Sequence, residues 1–208
     1  MLKELFKKFT DMVFVNFLWL LASFLGLLFT FGAATTAMFR VSFQILKTKE
    51  PTSVFQLFIQ SFKENFKEST LVWLMLVILG VPLFMMYHYG VNQDIAWLVV
   101  ISFVIFYEWL LFMVYAFPLI ATFKTSSIGH LIKNVLLISN MSLWTNIKVL
   151  GSLALVLLLM FIHSSLLLVA VGLYGVLVSY HLNKVFHPYK MQLGEKEEGN
   201  EVDEILKF

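Results

Sequence analysis

Glu108 is the residue of this chain best placed to do chemistry. It lies about halfway along Ala96 to Phe123, an otherwise uncharged apolar run long enough to cross a bilayer. A carboxylate at that depth is costly, so it marks a binding or proton-carrying site by default. It could hold a cation, accept a hydrogen bond from a substrate hydroxyl, or carry a proton. The competing reading is structural: a hydrogen-bonded or protonated glutamate that ties helices together, with Tyr107, Tyr174 or Asn16 as its partner. The apolar runs contain no second acid with which to build a relay.

The other reactive residue types point elsewhere. His88, His163, His181 and His187 fall near the ends of apolar runs, and no two have metal-ligand spacing within a helix, so neither a metal nor a cofactor is expected. His163-Ser164-Ser165 sets a base beside two hydroxyls. It lacks the glycine-rich turn and the orienting acid of a nucleophile site, and a hairpin turn explains it better. Trp19, Trp73, Trp97, Trp109 and Trp144 fit interfacial belts or packing. Arg40 and Lys124 close two matching segments, FGAATTAMFR and YAFPLIATFK, and read as headgroup anchors. The chain has no phosphate-binding glycine loop, zincin helix or nucleic-acid patch, and the pattern points away from an enzyme.

The elements that position these residues are membrane helices. Sixty per cent of the 208 residues are hydrophobic and 13% are charged, with a mean hydropathy of +0.85, outside the range of soluble domains. The expected fold is all-α: a polytopic helical bundle of five spans, or six, with two amphipathic connectors on the cytoplasmic side. Residues 1–189 form one membrane domain, and 190–208 an acidic, mobile cytoplasmic tail. Cysteine is absent, which excludes disulfides, thiolate metal sites and a cysteine nucleophile. The N-terminus does not read as a cleavable signal.

Along the chain, Met1 to Thr10 is amphipathic, either an interfacial helix or the solvated start of a span. The first span begins near Val13 and carries Asn16 and a close-packing Ala22/Gly26 pair. From Gly32 two readings compete. One long tilted helix continues to Arg40, or the chain bends at Gly32 and returns as a short helix to about Leu46. The first is favoured, because a returning arm would bury Arg40 without a partner. Pro51 opens a connector whose face, Phe55, Phe58, Ile59, Phe62 and Phe66, is either interfacial or a docking surface. Spans follow at Leu71 to Tyr87, with a kink at Gly80-Val81-Pro82, and at Ala96 to Phe123. A second connector covers Thr125 to Ile147. Val149 to Val185 forms a hairpin turning at His163-Ser164-Ser165, with Gly172, Gly175 and Ser179 as a close-packing face.

Twelve of the 15 basic residues lie at 40–69, at 124–148 and from Lys184 on, and none lies near 88–95 or 163–165. The positive-inside rule puts the basic loops and the C-terminus in the cytoplasm. Lys3, Lys7 and Lys8 break the pattern if the first span is single, and keep it if the chain turns back near Gly32.

These residues resemble the YesL family of bacterial integral membrane proteins, a domain of unknown function. The likeness rests on Asn16-x-x-Trp19-Leu20-Leu21, on Gly32-Ala33-Ala34-Thr35-Thr36-Ala37-Met38, on Phe58 to Phe66 with Phe-Lys-x-Asn-Phe-Lys at Phe62 to Lys67, and on Tyr115-x-Phe117-Pro118-Leu119. It runs from the N-terminus to about Val185. Many relatives carry a proline where this chain has Gly32-Ala33. The resemblance implies a bacterial cell-membrane protein and an accessory role in oligosaccharide uptake, with a carbohydrate ABC permease as partner beside the lipid bilayer. It carries no catalytic residues. The alternative is an independent transporter or envelope glycan assembly factor using Glu108, and the oligomeric state is open.

Overall fold

A computed structural model describes the backbone of residues 2–26, 29–47, 53–123 and 127–205. It describes side chains within these stretches up to Tyr189, apart from Leu2 and Ser164. The described residues are helical: α1 Leu2–Leu25, α2 Phe31–Lys47, α3 Val54–Glu64, α4 Phe66–Asn92, α5 Ala96–Thr122, α6 Ile128–Asn140, α7 Leu143–Ile162 and α8 Leu167–Ile205. A single 3-10 turn, Ser164–Leu166, joins α7 to α8. Five helices, α1, α4, α5, α7 and the first part of α8, are long and apolar enough to cross a membrane.

The expected single tilted helix running through to Arg40 is corrected here. α1 stops at Leu25, and a turn that begins at Gly26 hands over to α2 at Phe31. Thr30 closes the turn by donating its hydroxyl to the Ala22 carbonyl, and the Phe29 amide donates to Gly26. The bend thus falls just before Gly32, and α2 turns back along α1. The Trp19 indole donates to the Thr35 hydroxyl at 3.0 Å and its ring meets Phe31 edge-on. The Arg40 problem is solved by α5: Nη1 donates to the Ala121 carbonyl at 3.0 Å, at a helix C-terminus whose unpaired carbonyls attract a cation.

α2 is the hub of the bundle, packed by α1, α3, α4, α5 and α8. Every residue from Gly32 to Phe39 is buried, as are Val41, Ser42 and Phe43. Small side chains make this possible, because helices in lipid associate by close backbone approach and not by expelling water. A Cβ on Gly32 would fall 2.3 Å from the Ser69 carbonyl of α4; on Gly172, 2.5 Å from the Met12 carbonyl of α1; on Gly175, 2.8 Å from the Ser42 hydroxyl of α2. The close-packing face expected on the last helix is therefore real, and two helices use it. A hydroxyl pair, Thr36 and Ser69 at 2.7 Å, adds a polar clip between α2 and α4.

Pairing fixes which helix ends lie together. α2 runs antiparallel to α1, and Arg40 meets the end of α5. Phe186 of α8 packs on both Phe43 and Phe123. The start of α1, the end of α2, the end of α5 and the 184–187 stretch of α8 therefore share one end of the bundle. That end collects Lys3, Lys7, Lys8, Lys47 and Lys184. The lysines that broke the charge pattern join it once α2 is a separate helix.

Candidate functional site

α4 and α5 form a hairpin that changes character along its length. Near the ends that flank α2 its residues are buried, from Leu111 to Ala121 almost without a break. Towards the tip, Val77, Ile78, Phe84, Met85, Trp97, Phe103 and Phe106 are all exposed. This outer part is a two-helix arm that packs chiefly on itself. Between its helices lies an apolar groove of about 260 Å³, lined by Gly80, Leu83, Phe84, Tyr87, Phe103 and Phe106 among others. Pro82 lies within α4, which continues through it to Asn92, beyond the Tyr87 expected as the end of this span; the connection to α5 is Gln93–Ile95.

Glu108 sits at the root of the arm, where exposure gives way to burial. It is half-buried, and the Asn140 side-chain amide approaches its Oε2 at 3.4 Å, a long contact. Its neighbour Trp109 pins the two arm helices together, donating from Nε1 to the Leu76 carbonyl at 3.0 Å. Asn140 ends α6, so the second connector folds back along α5. Leu131, Val135 and Ile138 turn inward while Lys133 and Asn134 face out. A buried polar chain secures this fold: the Tyr115 hydroxyl donates to Asn146 Oδ1 at 2.7 Å, and Asn146 Nδ2 donates to the Ser139 carbonyl at 2.7 Å. Tyr115 stands out in the sequence only as part of a motif and a repeat, and Asn146 not at all; a tyrosine and an asparagine beside apolar runs are the available signal of this pairing.

The expected grouping of Glu108 with Tyr107, Tyr174 and Asn16 does not form among the described residues. Asn16 is fully buried and clamps α1 to α8, donating from Nδ2 to the Leu167 carbonyl at 3.1 Å and accepting the Gly172 amide at 2.8 Å. Tyr174 packs edge-on against Phe39 of α2. Tyr107 is 38% exposed, on the arm. The reason is topological: α5 packs on α2, α4 and α6, while Asn16 and Tyr174 belong to the α1–α2–α8 side.

The α3 face divides. Phe58 is buried and Ile59 and Phe62 half-buried against the bundle, because α3 lies on α2 and α1. Phe55 and Phe66 remain exposed at 51% and 41%. Much of the stripe is thus spent within the chain. Ser53 caps α3, with its hydroxyl accepting from the Gln56 amide. Pro51 and Lys124 lie outside the described residues. His163 and Ser165 do meet, Nδ1 to Oγ at 2.8 Å, in the exposed α7–α8 turn. Among the described residues no three His, Asp or Glu side chains cluster as metal ligands would.

A second cavity, of about 220 Å³, lies where α7 stands away from α2 and α5. Trp19, Thr35, Phe117, Val156, Leu157 and Tyr174 are among the residues lining it.

Residues 12–87, from α1 to most of α4, match the model of a family described as "Protein of unknown function, DUF624". This is the YesL-type family that the motifs resemble, so the expected kinship is shown over that stretch. No curated protein and no solved structure matches the chain.

Proposed function

We propose, from a chain carrying this family segment, that the protein is a non-enzymatic membrane partner serving carbohydrate uptake through an ABC permease. The observation that supports docking is the α4–α5 arm. A hub welded by glycines and small residues holds its root, and its outer faces are large, aromatic and free of their own bundle. In lipid such a surface suits the flank of another spanning helix, with the groove beside Phe84 and Phe103 receiving its side chains. The connectors contribute less, since Phe58 and Leu131 are buried within the chain. The sugar is carried by the family resemblance alone. We place the lysine-rich end, and with it the C-terminus, in the cytoplasm of a bacterial cell membrane on the positive-inside rule.

The test is a mild-detergent pull-down from native membranes with mass spectrometry. Stoichiometric recovery of a sugar permease, lost on Phe84→Ala/Phe103→Ala, supports the reading. Recovery alone, or with cell-wall assembly enzymes, contradicts it. A second reading, an independent transporter or glycan assembly factor, draws on the half-buried Glu108 at the arm's root. It requires Glu108→Gln to abolish function while leaving assembly intact.

A further inference from the structure

We propose that the lysine-rich end of the bundle binds an anionic glycerophospholipid, with the headgroup phosphate held between Lys8, Lys47 and Lys184. Packing contacts bring these lysines, far apart in the sequence, to one level. Trp19 pairs with Thr35 across the antiparallel α1 and α2. Twelve residues back along α1 and twelve on along α2 stand Lys7 and Lys47. α8 also runs antiparallel to α1, because Leu167 meets Asn16 and Gly172 meets Met12. Nine residues back from Met12 is Lys3 and twelve on from Gly172 is Lys184, a difference in level of about 5 Å at 1.5 Å per residue. Lys8 precedes Met12 by one turn, on the face of α1 that α8 covers, yet it is exposed. Side chains of a helix lean towards its N-terminus, which aims Lys8 at the open end of the α1–α8 seam.

Charge identifies the occupant. Lys3, Lys7, Lys8, Lys47 and Lys184 are all exposed; Glu4 shares their level, and Asp11 follows one turn deeper, half-buried. The acidic stretch from Glu195 on does not neutralise them. α8 is continuous to Ile205, which carries Glu195 eleven residues and about 16 Å beyond Lys184, twice the Debye length of about 8 Å at physiological salt. Lysines clustered beside an apolar surface draw anionic headgroups, each adding to the attraction within a Debye length. The apolar part is present: Leu5, Phe6 and Phe9 are exposed on α1 beside Lys3 and Lys7, as in an amphipathic segment seated at the headgroup boundary. The Lys184 ammonium lies 5.5 Å from the centre of the Tyr180 ring, a cation–π contact that restrains it. A zwitterionic headgroup brings its own cation against the same lysines and gains less. None of these residues belongs to the α4–α5 arm, so the site stands whether or not a permease docks there.

Native mass spectrometry of the delipidated full chain, offered equal amounts of dioleoyl phosphatidylglycerol and dioleoyl phosphatidylcholine, tests this. Wild type should retain phosphatidylglycerol at least about tenfold over phosphatidylcholine. Lys8→Gln/Lys47→Gln/Lys184→Gln should remove the preference, whereas arginine at the same three positions should keep it. Lys63→Gln/Lys67→Gln/Lys133→Gln takes as much charge from exposed positions on α3, α4 and α6, and should leave the ratio within about twofold of wild type. Equal retention of the two lipids by wild type overturns the proposal. An equal loss in both glutamine triples overturns it too, because net charge alone would then attract the lipid. So does a several-fold rise in retention on Glu195→Gln/Glu197→Gln/Glu198→Gln, which would mean that the chain's own tail covers the lysines.

Discussion

α2 and the outer part of the α4–α5 hairpin are neighbouring helical segments that end up in opposite places. α2 is enclosed by five helices, while the arm presents whole faces to the surroundings. Hydrophobicity does not explain this, because α2 is the less apolar of the two and yet the buried one, and lipid is as good a solvent for leucine as a protein interior. Size does. α2 carries Gly32-Ala33-Ala34-Thr35-Thr36-Ala37 where the arm carries Phe84, Phe103, Val104, Ile105 and Phe106. Small side chains let backbones meet, and large ones leave room that lipid, or another protein, must fill.

The sharpest way to break this contrast is to give α2 the arm's chemistry. Gly32→Leu would drive a side chain into the Ser69 carbonyl and should destabilise the bundle by about 3 kcal/mol or more, read as loss of a folded species in detergent. Gly151→Leu is the control: no atom lies within 4 Å of a Cβ there, and the variant should unfold like wild type. Next in size is Asn16→Leu, which strips both bonds from the start of α8. Thermal unfolding should report a loss of about 1–2 kcal/mol. Tyr115→Phe leaves Asn146 without its donor beside α6 and should cost about 1 kcal/mol by the same assay. Smallest is Phe103→Ala on the arm. Lipid replaces the lost contacts, so stability should change by less than about 0.5 kcal/mol while partner recovery falls.

The same contrast explains what could be read from the chain alone. The apolar runs, the turn at His163 to Ser165 and the glycine face of α8 were legible because each has a local mark: length, a polar break, or spacing of small residues. The repeat FGAATTAMFR against YAFPLIATFK also has a structural counterpart, for Gly32 to Phe39 of one copy and Tyr115 to Ala121 of the other are buried, and each copy precedes a short amphipathic helix. The break at the end of α1 was harder. It lacks a proline or a charge, and Thr30 makes the turn with a hydroxyl-to-carbonyl bond that no pattern announces. The partner of Glu108 was hidden for a different reason. Asn140 lies 32 residues away on a connector, and only the folding back of α6 along α5 brings it near. The partner of Arg40 is equally invisible in the sequence, because its acceptor is a backbone carbonyl of α5, which has no sequence signature.

The turn between α1 and α2 is the claim on which the topology rests, and a cysteine-free chain is well suited to test it. Single cysteines at Lys3, Lys47, Gln93 and Lys184, all exposed positions, would be probed in intact cells with a membrane-impermeant maleimide. The account predicts that Lys3→Cys, Lys47→Cys and Lys184→Cys stay protected together while Gln93→Cys is labelled. Labelling of Lys3→Cys alongside Gln93→Cys, with Lys47→Cys protected, would mean that the chain crosses once between α1 and α3, and would contradict the returning helix at its centre.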